Sequence, residues 1–186
     1  MITIFHRGHL LFLIVAGCLL VAPPTRASDA SDLQQKLNGG YYLLYNLAGD
    51  ENQLPILLDL KHAPPNVGEL ADRISKEGKK TLGLIEKFQD QNPALRDDRN
   101  PLPAIEQDVR DSIKGDKQHQ LLFGTKDAEF VRALCISQIE ASTYAAHLAK
   151  VLGDQESSPS RAAQLRHVSD EWLALRANAE QILRDY

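Results

Sequence analysis

Sulfur is nearly missing from this chain: Met1, Cys18 and Cys135 are the only sulfur-bearing side chains among 186 residues. With Met1 the sole methionine, methionine-ligated haem is excluded, and no C-x-x-C-H run attaches a haem covalently. The basic excess of a nucleic-acid binder is missing too, since 21 Lys and Arg face 25 Asp and Glu. Aromatic residues supply only 6% of the chain, but 43% hydrophobic residues at this length suffice for one core without a disulfide or metal. Runs of alternating or β-branched residues that mark a sheet are lacking, so the chain reads as all-α.

Catalytic motifs are equally scarce. Gly78-Lys79-Lys80-Thr81 lacks the upstream glycine of a phosphate loop and puts Lys80 where a hydroxyl must ligate magnesium. Neither a G-x-S-x-G nor an H-E-x-x-H run occurs. Cys135 and His147 are twelve positions apart, over three turns of one helix, which separates the thiol from the imidazole on its own helix. Cys135 is therefore read as a small buried hydrophobe.

One long apolar run is present, from Leu10 to Ala22, behind Arg7 and ahead of Pro23-Pro24. It is short for a membrane span and has the layout of an export signal, with Thr25-Arg26-Ala27 before Ser28 as the cleavage site. Residues 1–27 are thus read as a signal peptide and 28–186 as a single domain, periplasmic or secreted. Val15-Ala16-Gly17-Cys18 is a competing lipobox, which would make Cys18 a lipid anchor and the protein a membrane-anchored lipoprotein. Cleavage after Ala27 removes Arg7 and Arg26 and no acid, taking the net charge from −4 to −6. It also leaves Cys135 alone, so no intrachain disulfide can form.

Helical periods dominate the remainder. A first helix is expected from about Ser31 to Ala48, with Leu33, Leu37, Leu44 and Ala48 inward and Gly49-Asp50 ending it. A second starts at Asn66 with Val67, Leu70, Ile74, Thr81, Ile85 and Phe88 inward, ahead of Asn92-Pro93. A third runs from about Thr125 to Leu152, with Phe130, Leu134, Ser137, Ala141, Tyr144, Leu148 and Val151 as its seam and Gly153 as its stop. A fourth opens at Ser158-Pro159 and repeats Leu165, Val168, Trp172, Leu175, Ala179 and Ile182.

The links between them differ. The one from Asn92 onward is long, carries Pro93, Pro101 and Pro103, and contains a short helix marked by Ile105, Val109 and Ile113. Leu121-Leu122-Phe123 adds a further apolar contact, and Pro55 to Leu60 a covering turn in the first link. Two hairpins joined by one long crossover is the ferritin-like form of the four-helix bundle. Gly39-Gly40 lets another segment approach the first helix, and Tyr41 points to the core while Tyr42 does not.

The export signal, the first hairpin arm ending in Leu47-Ala48, and the run Leu165-Arg166-His167-Val168-Ser169-Asp170-Glu171 resemble a bacterial family of exported ferritin-like four-helix bundles of unknown function. Members carry Arg-x-x-x-Asp-His on the second helix of a hairpin. Arg166 and Asp170 match it, with Glu171 in the histidine position; Arg73 and Glu77 keep the spacing in the earlier hairpin, followed by Gly78. The resemblance implies fold and export.

A di-metal centre on such a bundle needs a glutamate from each of two helices and Glu-x-x-His from each of the others, and no Glu-x-x-His occurs here. A weaker iron or zinc site is the alternative, drawn from Glu77, Glu140, His147, His167 and Glu171. Glu140 and His147 fall at the edge of the core stripe and His167 further out, where bundle charges usually pair or meet water. The leading expectation is an exported, non-enzymatic helical bundle without a cofactor, with a structural or binding role in the bacterial cell envelope. Its partner would be an envelope protein, not nucleic acid.

Overall fold

A computed structural model describes residues 25–59, 61, 63–96, 100–124 and 127–186. The expected signal run and Cys18 lie outside the described residues, as does His62. The described chain is all-helical: α1 (Thr25–Asn52), α2 (Leu54–Asp59), α3 (Pro65–Gln91), α4 (Ala104–His119), α5 (Asp127–Gln155) and α6 (Pro159–Arg184). A 3₁₀ turn (Pro93–Leu95) follows α3, and a π-helical turn (Gln120–Gly124) follows α4. Among the described residues no strand occurs, and no helix is long and apolar enough to cross a membrane.

Four long helices, α1, α3, α5 and α6, carry the core. α1 packs on α3 and α5, and α6 packs on α5 and α3. Antiparallel contacts set the first pair: Ser75 Oγ donates to the Asn52 carbonyl at 2.8 Å near one end, and Tyr41 meets the edge of Phe88 at 6.2 Å near the other. α5 also runs against α1, because Leu152 near its C-terminus lies on Gly40. α3 and α5 therefore point the same way, and the link between them must travel the length of the molecule.

The start of that link is tied to α1. Asn38 Nδ2 donates to the Ala94 carbonyl at 3.0 Å, and Pro101 lies where a Cβ on Gly39 would sit, 2.7 Å away. Gly40 makes equal room for Leu152, at 2.6 Å. The Gly39-Gly40 pair thus admits both the crossover and α5, and loss of helix propensity is the cost. α4 then runs back along α5, with Arg110 at Tyr144 and Lys117 at Glu140.

The inward faces of α3 and α6 follow the expected periods. Val67, Leu70, Ile74, Thr81, Ile85 and Phe88 are buried, as are Leu165, Val168, Trp172, Leu175 and Ala179. Ser158 caps α6, accepting from the Arg161 N–H, with Pro159 in the first turn.

α5 differs. Phe130 and Leu134 are buried as expected, but from there on the buried face is Gln138, Ser142, Ala145, Ala149 and Leu152, one position on from the expected seam, and Tyr144 and Val151 are exposed. Small residues on the true seam let α6 come close, whereas the larger Tyr144 and Val151 suggested the wrong register. Gly153 does not end the helix, which continues to Gln155: a Cβ there would lie 3.1 Å from the Ala162 carbonyl, so this glycine closes the α5–α6 approach. Gly49 likewise falls inside α1, which extends to Asn52, and Leu33 is exposed.

Candidate functional site

A concavity lies between α3 and α6. It has a volume of about 370 Å³ and is lined by Glu77, Lys80 and Leu84 from α3 and by Gln164, His167 and Val168 from α6, with Ala163 at its rim. Helical spacing explains the lining: Glu77, Lys80 and Leu84 stand at steps of three and four, and His167 and Val168 lie three and four residues after Gln164, so each set shares one face.

Glu77 is the floor of this groove. Its side chain is 7% exposed, while that of Lys80, which donates Nζ to Glu77 Oε2 at 3.2 Å, is 71% exposed. Burial pushes the Glu77 carboxyl above its ordinary range, the Lys80 ammonium pulls it back, Glu171 pushes it up and His167 pulls it down. A buried carboxylate strongly favours a cation beside it. His167 Nε2 stands 3.9 Å from Glu171 Oε1, both well exposed to solvent.

Three of the five residues singled out as metal ligands, Glu77, His167 and Glu171, therefore share the α3–α6 side. Glu140 and His147 do not join them: both are exposed on α5, and Glu140 pairs with Lys117 of α4. Among the described residues no three His, Cys, Asp or Glu side chains are gathered to hold a metal ion.

A second polar site lies under α4. Lys114 Nζ reaches both oxygens of Asp50 at 2.7 Å, Lys117 pairs with Glu140, and Arg110 donates to Tyr144 Oη at 3.2 Å and covers its ring at 5.3 Å. Beneath them burial pushes Glu51 up to about 7, although a hydrogen bond from Gln138 and the charges of Lys114 and Lys117 oppose it; Asp50 adds to the rise. Gln138 Oε1 and Ser142 Oγ are buried without a partner among the described residues. The charged side of α4 faces the other helices, so its apolar stripe does not: Ile105, Val109 and Ile113 are exposed, with Ile105 at 73%. Leu121 is buried beyond it, but Phe123 is exposed.

The third cluster joins the middle of α1 to the α5–α6 turn. Tyr41 Oη donates to Glu156 Oε2 at 2.7 Å, while Arg161 Nη2 and the Ser158 N–H donate to Oε1 at 2.6 and 3.0 Å. Burial alone would raise the Glu156 carboxyl; Arg161, Tyr41 and Ser158 outweigh it and hold the group at about 2. Tyr41, loaded by burial and the same carboxylate, is pushed well above a phenol's usual range.

Sequence reading missed Glu51 and Glu156. Glu156 was detectable as an acid beside Ser158-Pro159 with Arg161 one turn on, a charged turn closing a hairpin. Glu51 carries no such local signal, since the groups that surround it, Lys114, Lys117 and Gln138, come from α4 and α5. Cys135 is fully buried and its thiol is raised by that burial to about 11, which leaves it protonated and inert. Comparison of the chain with family models, curated proteins and solved structures finds no match.

Proposed function

We propose that this chain is an exported, non-enzymatic helical-bundle protein with a binding role in the bacterial cell envelope, its two hairpins connected by a ferritin-like crossover. Support for the connection comes from the parallel course of α3 and α5 and from the long link, tied to α1 at Ala94 and Pro101. Support for export comes from the run Leu10 to Ala22 and the small residues before Ser28.

The observation that carries the binding role is the α3–α6 groove. Its volume of about 370 Å³ falls within the range of small-molecule sites, and it combines apolar walls at Leu84, Ala163 and Val168 with one buried charge. Glu77 pairs only with Lys80 of its own helix, whereas three other acids are held by cations from other segments: Glu156 by Arg161, Glu140 by Lys117 and Asp50 by Lys114. Such pairs fix helices against one another and leave their carboxylates engaged.

Cell fractionation with mass measurement of the N-terminus tests the export reading. A periplasmic or secreted chain beginning at Ser28 supports it, and an acylated Cys18 supports it in its lipoprotein form. A cytoplasmic chain that retains Met1 overturns it.

A further inference from the structure

At the solvent edge of the α3–α6 groove stands an alkylammonium: the side chain of Lys80, a four-carbon stem ending in a charge, lines the groove and places its Nζ on Glu77. From this we infer that the groove is a binding site for a free primary alkylammonium, which displaces the Lys80 ammonium from the Glu77 carboxylate and lays its carbon chain along Leu84, Ala163 and Val168. The inference rests on the binding role proposed above and names its ligand class.

Several features select that class. Glu77 is nine-tenths buried and Lys80 is not, so the cation is the replaceable partner and the carboxylate the fixed one. Among the described residues Lys80 provides the one hydrogen bond that Glu77 receives, a single contact at 3.2 Å to Oε2. An anion would meet Glu77 and the nearby Glu171, both repulsive. A neutral apolar molecule would gain the walls but make no charged contact, the carboxylate staying on Lys80. An ammonium with an apolar body satisfies both the charge and the walls, and charge-assisted hydrogen bonds of this kind are the strong ones. A bound metal would need further ligands beside Glu77, and no such group is gathered among the described residues.

The test uses n-butylammonium, the lysine side chain freed from its backbone, titrated into the purified chain and followed through the amide NMR signals of Gln164, His167 and Val168. The expected result is a saturable shift, absent with n-butanol. Lys80→Ala should tighten binding severalfold by removing the tethered competitor. Glu77→Gln should weaken it about tenfold or more, the scale of one lost hydrogen bond to a charge. Ala163→Trp, at an exposed rim position that leaves every charge in place, should abolish it. No saturation in the unaltered chain overturns the inference, even if Lys80→Ala saturates, because Lys80 would then be a permanent plug. Equal binding by Glu77→Gln, or by n-butanol, overturns it as well. These outcomes concern the purified chain alone, so they are separate from the fractionation result that decides export.

Discussion

Glu51→Gln should make the protein more stable at neutral and alkaline pH and leave it nearly unchanged in acid. The carboxyl sits among Asp50 of its own helix, Gln138 of α5, and Lys114 and Lys117 of α4, and burial raises it from 4.5 to about 7. A raised folded-state value means that the fold holds the proton more tightly than the unfolded chain does. The favourable contribution is therefore complete below 4.5 and is lost as pH rises through 7. At about 1.4 kcal/mol per unit, the gap corresponds to about 3 kcal/mol of stability forfeited by pH 8. The amide of a glutamine keeps the shape and accepts from Gln138 without the charge. The variant should thus gain up to about 3 kcal/mol at pH 8, or roughly 6–12 °C in Tm for a domain of this size, and little at pH 4. Urea unfolding of both proteins across that range measures the difference directly, since titrations common to both cancel. Parallel stability curves between pH 4.5 and 8 would refute the reasoning and show that Glu51 is solvated in the fold.

Other substitutions test other contacts. Gly78→Ala should destabilise by about 1–3 kcal/mol, because its Cβ would lie 2.6 Å from the Ala48 carbonyl of α1 and the backbones must part. Gly83→Ala, on the same helix with nothing within 4 Å of the new Cβ, should instead stabilise by about 1 kcal/mol, and a pair of thermal melts separates the two cases. Glu156→Ala should cost about 3–5 kcal/mol by chemical denaturation, since it leaves the Arg161 guanidinium and the Tyr41 hydroxyl without their shared acceptor. With its folded value held at about 2 against 4.5, Glu156 contributes stability that is present above 4.5 and lost as pH falls through 2. The variant should therefore unfold less steeply on acidification than the parent. Val109→Asp should change stability by no more than about 0.5 kcal/mol, because Val109 faces solvent on α4.

Much of the helical layout was legible because the signals were local. The apolar periods of α3 and α6 predicted their buried faces nearly residue by residue, and Ser158-Pro159 marked the start of α6. Where packing partners decide the outcome, local signals misled. Beyond Phe130 and Leu134, which are buried as expected, the seam of α5 is one position off the expected register, since its inward residues there are Gln138, Ser142 and alanines, chosen for close approach more than for hydrophobicity. Gly49 and Gly153 resemble helix stops, yet Gly153 exists to admit the backbone of α6. The spacing of Ile105, Val109 and Ile113 correctly marked a helix, but its inward side is the one bearing Arg110, Lys114 and Lys117, because Tyr144, Asp50 and Glu140 wait for them. Of the five residues offered as metal ligands, helical spacing placed Glu77 and His167 in one groove, while Glu140 and His147 belong to another face.

The most direct test of the binding role is a crystal structure of the protein soaked with n-butylammonium. The account predicts an ammonium about 3 Å from the Glu77 carboxylate, its carbon chain along Leu84 and Val168, and the Lys80 Nζ turned out to solvent. A groove free of ligand, with the Lys80–Glu77 pair intact at saturating amine, would contradict it.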